Sequence, residues 1–97
     1  MPTYITLFRY TQQGLQTVKE MPNRLEQGKQ LARSLGGEVK AFYLTMGQYD
    51  AVVVAEATDD ETAAKAALIL GSAGNVRTET LRAFTEQEAV ALVQSLP

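Results

Sequence analysis

The chain opens on alternation. Between Thr3 and Tyr10, Ile5 and Leu7 fall on one side of an extended segment, and Tyr4, Thr6, Phe8 and Tyr10 fall on the other. Its β-branched and aromatic residues suit a pleated surface, so the segment predicts a strand. Both sides are largely apolar or aromatic, so a strand covered on both faces is expected. From residue 12 the period changes. Val18, Met21, Leu25, Gly28, Ala32 and Leu35 recur at spacings of three and four, one stripe of a helix. Pro22 lacks an N–H and clashes with a preceding turn. It predicts short helical turns around Gly14 to Lys19 and a restart with Pro22 in the first turn. Gly28 on the stripe predicts a close approach to the sheet, and Gly36-Gly37 a helix stop.

Alternation returns over Glu38 to Met46, a second strand. Val39, Ala41, Tyr43 and Thr45 share one expected face, and Lys40, Phe42, Leu44 and Met46 share the other. Gly47-Gln48-Tyr49-Asp50 reads as a turn, and Ala51 to Ala57 as a third strand. So short a connection joins antiparallel neighbours. The unbroken Val52-Val53-Val54 predicts a central strand. Thr58 and Glu61 have capping-box spacing at the start of an Ala-rich helix that runs to about Leu70. Gly71-x-x-Gly74 reads as its end. Val76 to Phe84 predicts a fourth strand, with Arg77, Glu79, Leu81 and Ala83 on one side and Val76, Thr78, Thr80, Arg82 and Phe84 on the other. Neither side is cleanly apolar, which reads as an edge strand whose charges deter aggregation. Thr85 and Glu88 space a second capping box before a short helix with an Ala89, Leu92, Val93, Leu96 stripe.

The order is βαββαβ plus a C-terminal helix. With right-handed crossovers it predicts an α+β, ferredoxin-like domain over residues 1–97: a four-stranded antiparallel sheet with both long helices on one face. The other face then carries apolar and aromatic groups: Tyr4 and Phe8 with Phe42 and Leu44, or their alternates. A bare face of that kind calls for a covering partner, most simply a second copy packed sheet to sheet. The C-terminal helix can dock on the partner or on its own sheet.

Composition narrows the chemistry. Nine basic and eleven acidic residues leave a net charge of −2, with no electrostatic pull toward nucleic acid or an anionic membrane. No segment has the ~18–20 apolar residues of a membrane span, and the N-terminus does not resemble a signal peptide, so a cytoplasmic protein is expected. Cys and His are both absent. Disulfides, thiolate metal sites, an axial His for haem and His-dependent triads go with them. The Asp59-Asp60-Glu61 run is explained by helix-start chemistry, so neither metal nor cofactor is expected.

The remaining candidates are few. Tyr49-Asp50 is the most interesting pair: Tyr49 as a phenolic donor and Asp50 as an acceptor or base at a pocket rim. The structural alternative has Asp50 capping its own turn while Tyr49 packs on the hairpin, and position favours it. Tyr43 reads as core. Arg77 and Glu79, or Thr78 and Thr80 on the opposite side, are candidates to line a polar pocket between two sheets.

Phe42-Tyr43-Leu44-Thr45-Met46-Gly47-Gln48-Tyr49-Asp50 resembles the Gly-x-Tyr-Asp signature of the GYD domain family. Leu70-Gly71-Ser72-Ala73-Gly74-Asn75-Val76-Arg77-Thr78-Glu79-Thr80-Leu81-Arg82-Ala83-Phe84-Thr85 is similar to that family's second block, and Tyr4-Ile5-Thr6-Leu7 and Tyr10-Thr11 fit as well. The resemblance covers nearly the whole chain and implies the dimeric α/β-barrel superfamily, hence a homodimer, with higher assembly open. It implies little about activity, since fold does not set function. Two readings stand. One is a dimer binding a small molecule or a protein partner through the inter-sheet space. The other is a cofactor-independent enzyme, monooxygenase- or isomerase-like, working with Tyr, Asp, Arg and Glu.

Overall fold

A computed structural model describes all residues 1–97. Four strands, β1 (Thr3–Tyr10), β2 (Glu38–Leu44), β3 (Ala51–Glu56) and β4 (Val76–Ala83), form one antiparallel sheet in the order β2-β3-β1-β4. This is the ferredoxin-like arrangement, and β3 is interior as its valines predict. Four helices accompany the sheet: α1 (Gln12–Gln16), α2 (Met21–Ser34), α3 (Asp60–Ser72) and α4 (Glu86–Gln94). A 3-10 turn over Val18–Glu20 joins α1 to α2, and Pro22 lies in the first turn of α2. After α2, the Gly37 N–H donates to the Ala32 carbonyl and the Gly36 N–H to Arg33, the double bond of a Schellman stop. None of the helices is long and apolar enough to cross a membrane.

Three local expectations are corrected. The N-cap of α3 is Asp59, not Thr58. Its carboxylate accepts from the Thr62 N–H at 2.8 Å and the Thr62 hydroxyl at 2.7 Å, so the Thr58–Glu61 box does not form. A carboxylate at the positive end of a helix gains from the dipole as well as from the hydrogen bond. The expected alternation of β2 breaks at a bulge between Val39 and Ala41, with Lys40 as the extra residue. Val39 and Phe42 therefore both face the helices. Finally, Gly28 makes no close approach: a Cβ placed on it would meet nothing within 4 Å. The Thr85–Glu88 capping box of α4 is present as expected.

Register assigns the two faces. Tyr4, Thr6 and Phe8 of β1 pair with Ala55, Val53 and Ala51 of β3 and face α2 and α3. Ile5 and Leu7 pair with Val54 and Val52 on the open face, joined by Tyr43 from β2 and Leu81 from β4. Of the alternatives left open, the open face therefore carries the set that excludes Tyr4 and Phe8. At the helix side, Tyr4 is 4% exposed and its hydroxyl donates to Asp60 Oδ1 at 2.5 Å, tying β1 to the first turn of α3. Burial and the neighbouring Asp60 carboxylate push that phenol up to about 12. The loop after α3 ends on Gly74 at φ +83°, a left-handed conformation that favours glycine. It holds α1 through the Thr11 hydroxyl, which donates to the Gly74 carbonyl at 2.5 Å.

The chain is under-buried. Tyr4, Gly14 and Ala51 are its only buried residues. Every residue of α4 is exposed, including the apolar stripe of Leu92 and Val93, so the helix covers none of its own sheet. A folded monomer of 10.6 kDa exposes about 5,500 Å² by the usual scaling with mass. This chain exposes 6659 Å².

Candidate functional site

The hairpin from β2 to β3 brings chemistry to one end of the open face. Beyond Leu44, the Thr45 N–H donates to the Asp50 carbonyl at 2.9 Å and the Thr45 hydroxyl to the Tyr49 carbonyl at 2.7 Å. These two bonds close the turn. The Tyr49 hydroxyl lies 3.4 and 3.5 Å from the two Glu79 carboxylate oxygens. The Arg9 guanidinium sits 4.8 Å from the centroid of the Tyr49 ring, and its Nε donates to the Gln48 carbonyl at 3.1 Å. Arg9 is the direct cross-strand partner of Arg77, and Glu79 that of Leu7. The result is a solvent-facing cluster of Arg9, Tyr49, Arg77 and Glu79 beside the apolar patch of Ile5, Leu7, Val52 and Val54. Two like charges directly opposite on a sheet are unfavourable. The electron-rich face of Tyr49 beneath Arg9 offsets part of that.

The sequence candidates divide. Tyr49, Arg77 and Glu79 come together. Thr78 does not: it points to the helix side, as does Thr80, whose hydroxyl lies 3.3 Å from that of Thr6. Tyr43 is not core. It stands 62% exposed on edge strand β2, opposite Val52. A pleated edge with no covering layer leaves such a ring in solvent, which the sequence alone does not reveal. Asp50 is turned away from the cluster. Its Oδ2 accepts from the Tyr10 N–H at 2.9 Å, and its own N–H donates to the Phe8 carbonyl at 2.8 Å. Its side chain thus bonds the end of β1 rather than its own turn. Burial and the nearby Asp50 charge both raise the Tyr10 phenol, and Arg24 works against them.

Arg9 is the member that the sequence reading missed. The signal for it was the break in the run Ile5-x-Leu7-x-Arg9, where an open-face position turns from apolar to cationic. Chemically the cluster offers a phenol, a carboxylate and two guanidinium groups to whatever covers the sheet. No His, Cys, Asp or Glu cluster with metal-binding geometry occurs in the structure.

Known proteins supply context for this geometry. A protein named glutamine synthetase and cystathionine beta-lyase binding protein, from Thermus thermophilus, is 40% identical over 92 residues, spanning 94% of this chain and 97% of the relative. A crystal structure of a Thermus thermophilus protein superposes with a TM-score of 0.55 at 28% identity, covering 87% of this chain and 94% of that one. The sequence model of the GYD domain matches residues 4–93. With nearly its whole length matched, the chain belongs to the GYD domain family.

Proposed function

We propose that this chain is a binding protein without catalytic activity of its own, which pairs with a second copy across the open sheet face and docks as that dimer on an enzyme. The observation that carries the reading is the surplus surface. The protomer exposes about 1,200 Å² more than a monomer of its mass should, which exceeds the ~800 Å² per partner of a standard interface. The surplus is accompanied by an apolar sheet face and by the apolar stripe of α4, two surfaces that a second copy would cover together. Residues 1–97 act as one unit in this reading. Arg9, Tyr49, Arg77 and Glu79 supply its polar rim, where an orienting contact or a small polar ligand would sit. The relative's name supports enzyme docking, because 40% identity runs over nearly all of both chains.

The test has two parts. Sedimentation velocity should give twice 10.6 kDa for the wild type and a monomer for Leu7→Glu, which puts a charge in the seam. Surface plasmon resonance should show the wild type binding immobilised glutamine synthetase or cystathionine beta-lyase, with Leu7→Glu impaired and Lys65→Glu on the outer face of α3 unaffected. A wild-type monomer at micromolar concentration overturns the dimer, and failure to bind either enzyme overturns the docking partner.

A further inference from the structure

Beneath the two long helices, on the side of the sheet away from the cluster, lies a cleft of about 340 Å³ that is partly open to solvent. Ligand sites span ~300–1,000 Å³. Phe8, Phe42 and Val53 form its floor, and Leu25, Leu31 and Ile69 its roof. Close-packed interiors leave little unfilled apolar space. This cleft is widened by Gly28, where even a methyl group would touch nothing within 4 Å. At Gly28 the apolar stripe of α2 thus faces space rather than side chains.

Charge decides what could fill it. Arg24 and Lys29 line the cavity, both partly buried, and no acidic residue lines it. The ion pairs of the protein are Lys40–Glu56 and Lys65–Glu61, so neither cation has a carboxylate partner. Arg24 donates to the Thr17 carbonyl at 3.0 Å and the Gly14 carbonyl at 3.5 Å, which fixes the guanidinium without neutralising it. Cations without a counter-charge favour an anionic partner, and unfilled apolar surface forfeits dispersion contacts. One kind of molecule satisfies both.

We propose that this cavity binds a small organic anion with an apolar body, of the medium-chain carboxylate class, its chain against Phe8, Phe42 and Leu31 and its head at Lys29 and Arg24. The site is separate from the sheet face used for pairing and docking, so it stands or falls independently of that reading.

Isothermal titration calorimetry with decanoate tests it, below the concentration at which decanoate forms micelles. The wild type should take up one decanoate per protomer with saturable binding, and decanol, which lacks the charge, should bind roughly tenfold more weakly, the usual value of one charge-assisted contact. Lys29→Gln should lower decanoate affinity by a similar factor. Gly28→Leu should abolish binding by filling the void while keeping the helix, since leucine is the better helix former. Ala73→Phe blocks the opposite wall and serves if Gly28→Leu does not fold. Absence of saturable binding to the wild type, or undiminished binding in a folded blocking variant, overturns the proposal. Equal affinity for decanol and decanoate overturns the anionic class.

Discussion

Asp50 stands where β3 begins, and its side chain does what a longer strand would do. The Phe8–Ala51 pair is the last in the β1–β3 ladder. One residue further, the Asp50 N–H still reaches the Phe8 carbonyl, but the Tyr10 N–H is met by Asp50 Oδ2 instead of a backbone carbonyl. In Asp50→Ala the Tyr10 N–H loses that acceptor. A hydrogen bond to a charged group contributes about 1.5–3 kcal/mol, and this one is only partly shielded from water, so the expected cost is about 1–2 kcal/mol. For a chain of this size that corresponds to a fall in melting temperature of about 5–12 °C. Asp50→Asn keeps an oxygen acceptor at nearly the same point and should lose less than half as much. Chemical denaturation of the three proteins measures the difference. Amide exchange at Tyr10 should accelerate in Asp50→Ala and much less in Asp50→Asn. The asparagine variant carries a second readout: with the Asp50 charge gone, the Tyr10 phenol should titrate at lower pH than in the wild type. Equal stability in all three proteins, with enzyme docking lost in both variants, would refute the conformational role and make Asp50 a recognition residue.

Asp59→Ala should remove the cap of α3 and lower the melting temperature by about 3–8 °C, whereas Thr58→Ala, whose hydroxyl meets only the exposed Thr62 hydroxyl, should change it little. The Thr62 N–H holds the Asp59 carboxyl below the ordinary carboxylate range. Its contribution is therefore complete above that range and lost as the pH falls through the lowered folded value, so Asp59→Asn should flatten the acid limb of a stability-against-pH curve. Tyr4 behaves oppositely: burial and Asp60 raise it to about 12, so its contribution is complete below the ordinary tyrosine range near 10 and lost as the pH climbs from there to about 12. Ultraviolet titration should show this tyrosine ionising last, and Asp60→Asn should advance it. Gly14→Ala should destabilise strongly although alanine is the better helix former, because its Cβ would collide with the Asn75 carbonyl oxygen; thermal melts against Gly28→Ala, at a glycine with free space, isolate the collision.

Local chemistry made much of the protein legible. The period-two run of Thr3–Tyr10, the Pro22 restart, the Gly36-Gly37 stop and the Thr85–Glu88 box are each written within a few residues. Their partners lie along the same short stretch of backbone, so a change of period or a capping spacing is enough to find them. The order of strands followed from the four-residue turn after Met46 and from crossover handedness. Other properties arose only when distant segments met. Thr58 and Asp59 both have capping side chains, and only the structure shows that Asp59 caps the helix while Tyr4 of β1 bonds Asp60 in its first turn. The bulge at Lys40 moved Val39 from the side of Ala41 and Tyr43 to that of Phe42, since one inserted residue reverses the side-chain alternation across it. Arg9 joined Tyr49 and Glu79 only because β1 lies between the hairpin and β4. The cavity needed the whole layer arrangement: a glycine on a helical stripe reads equally as close packing or as open space, and the distance between helix and sheet decides which.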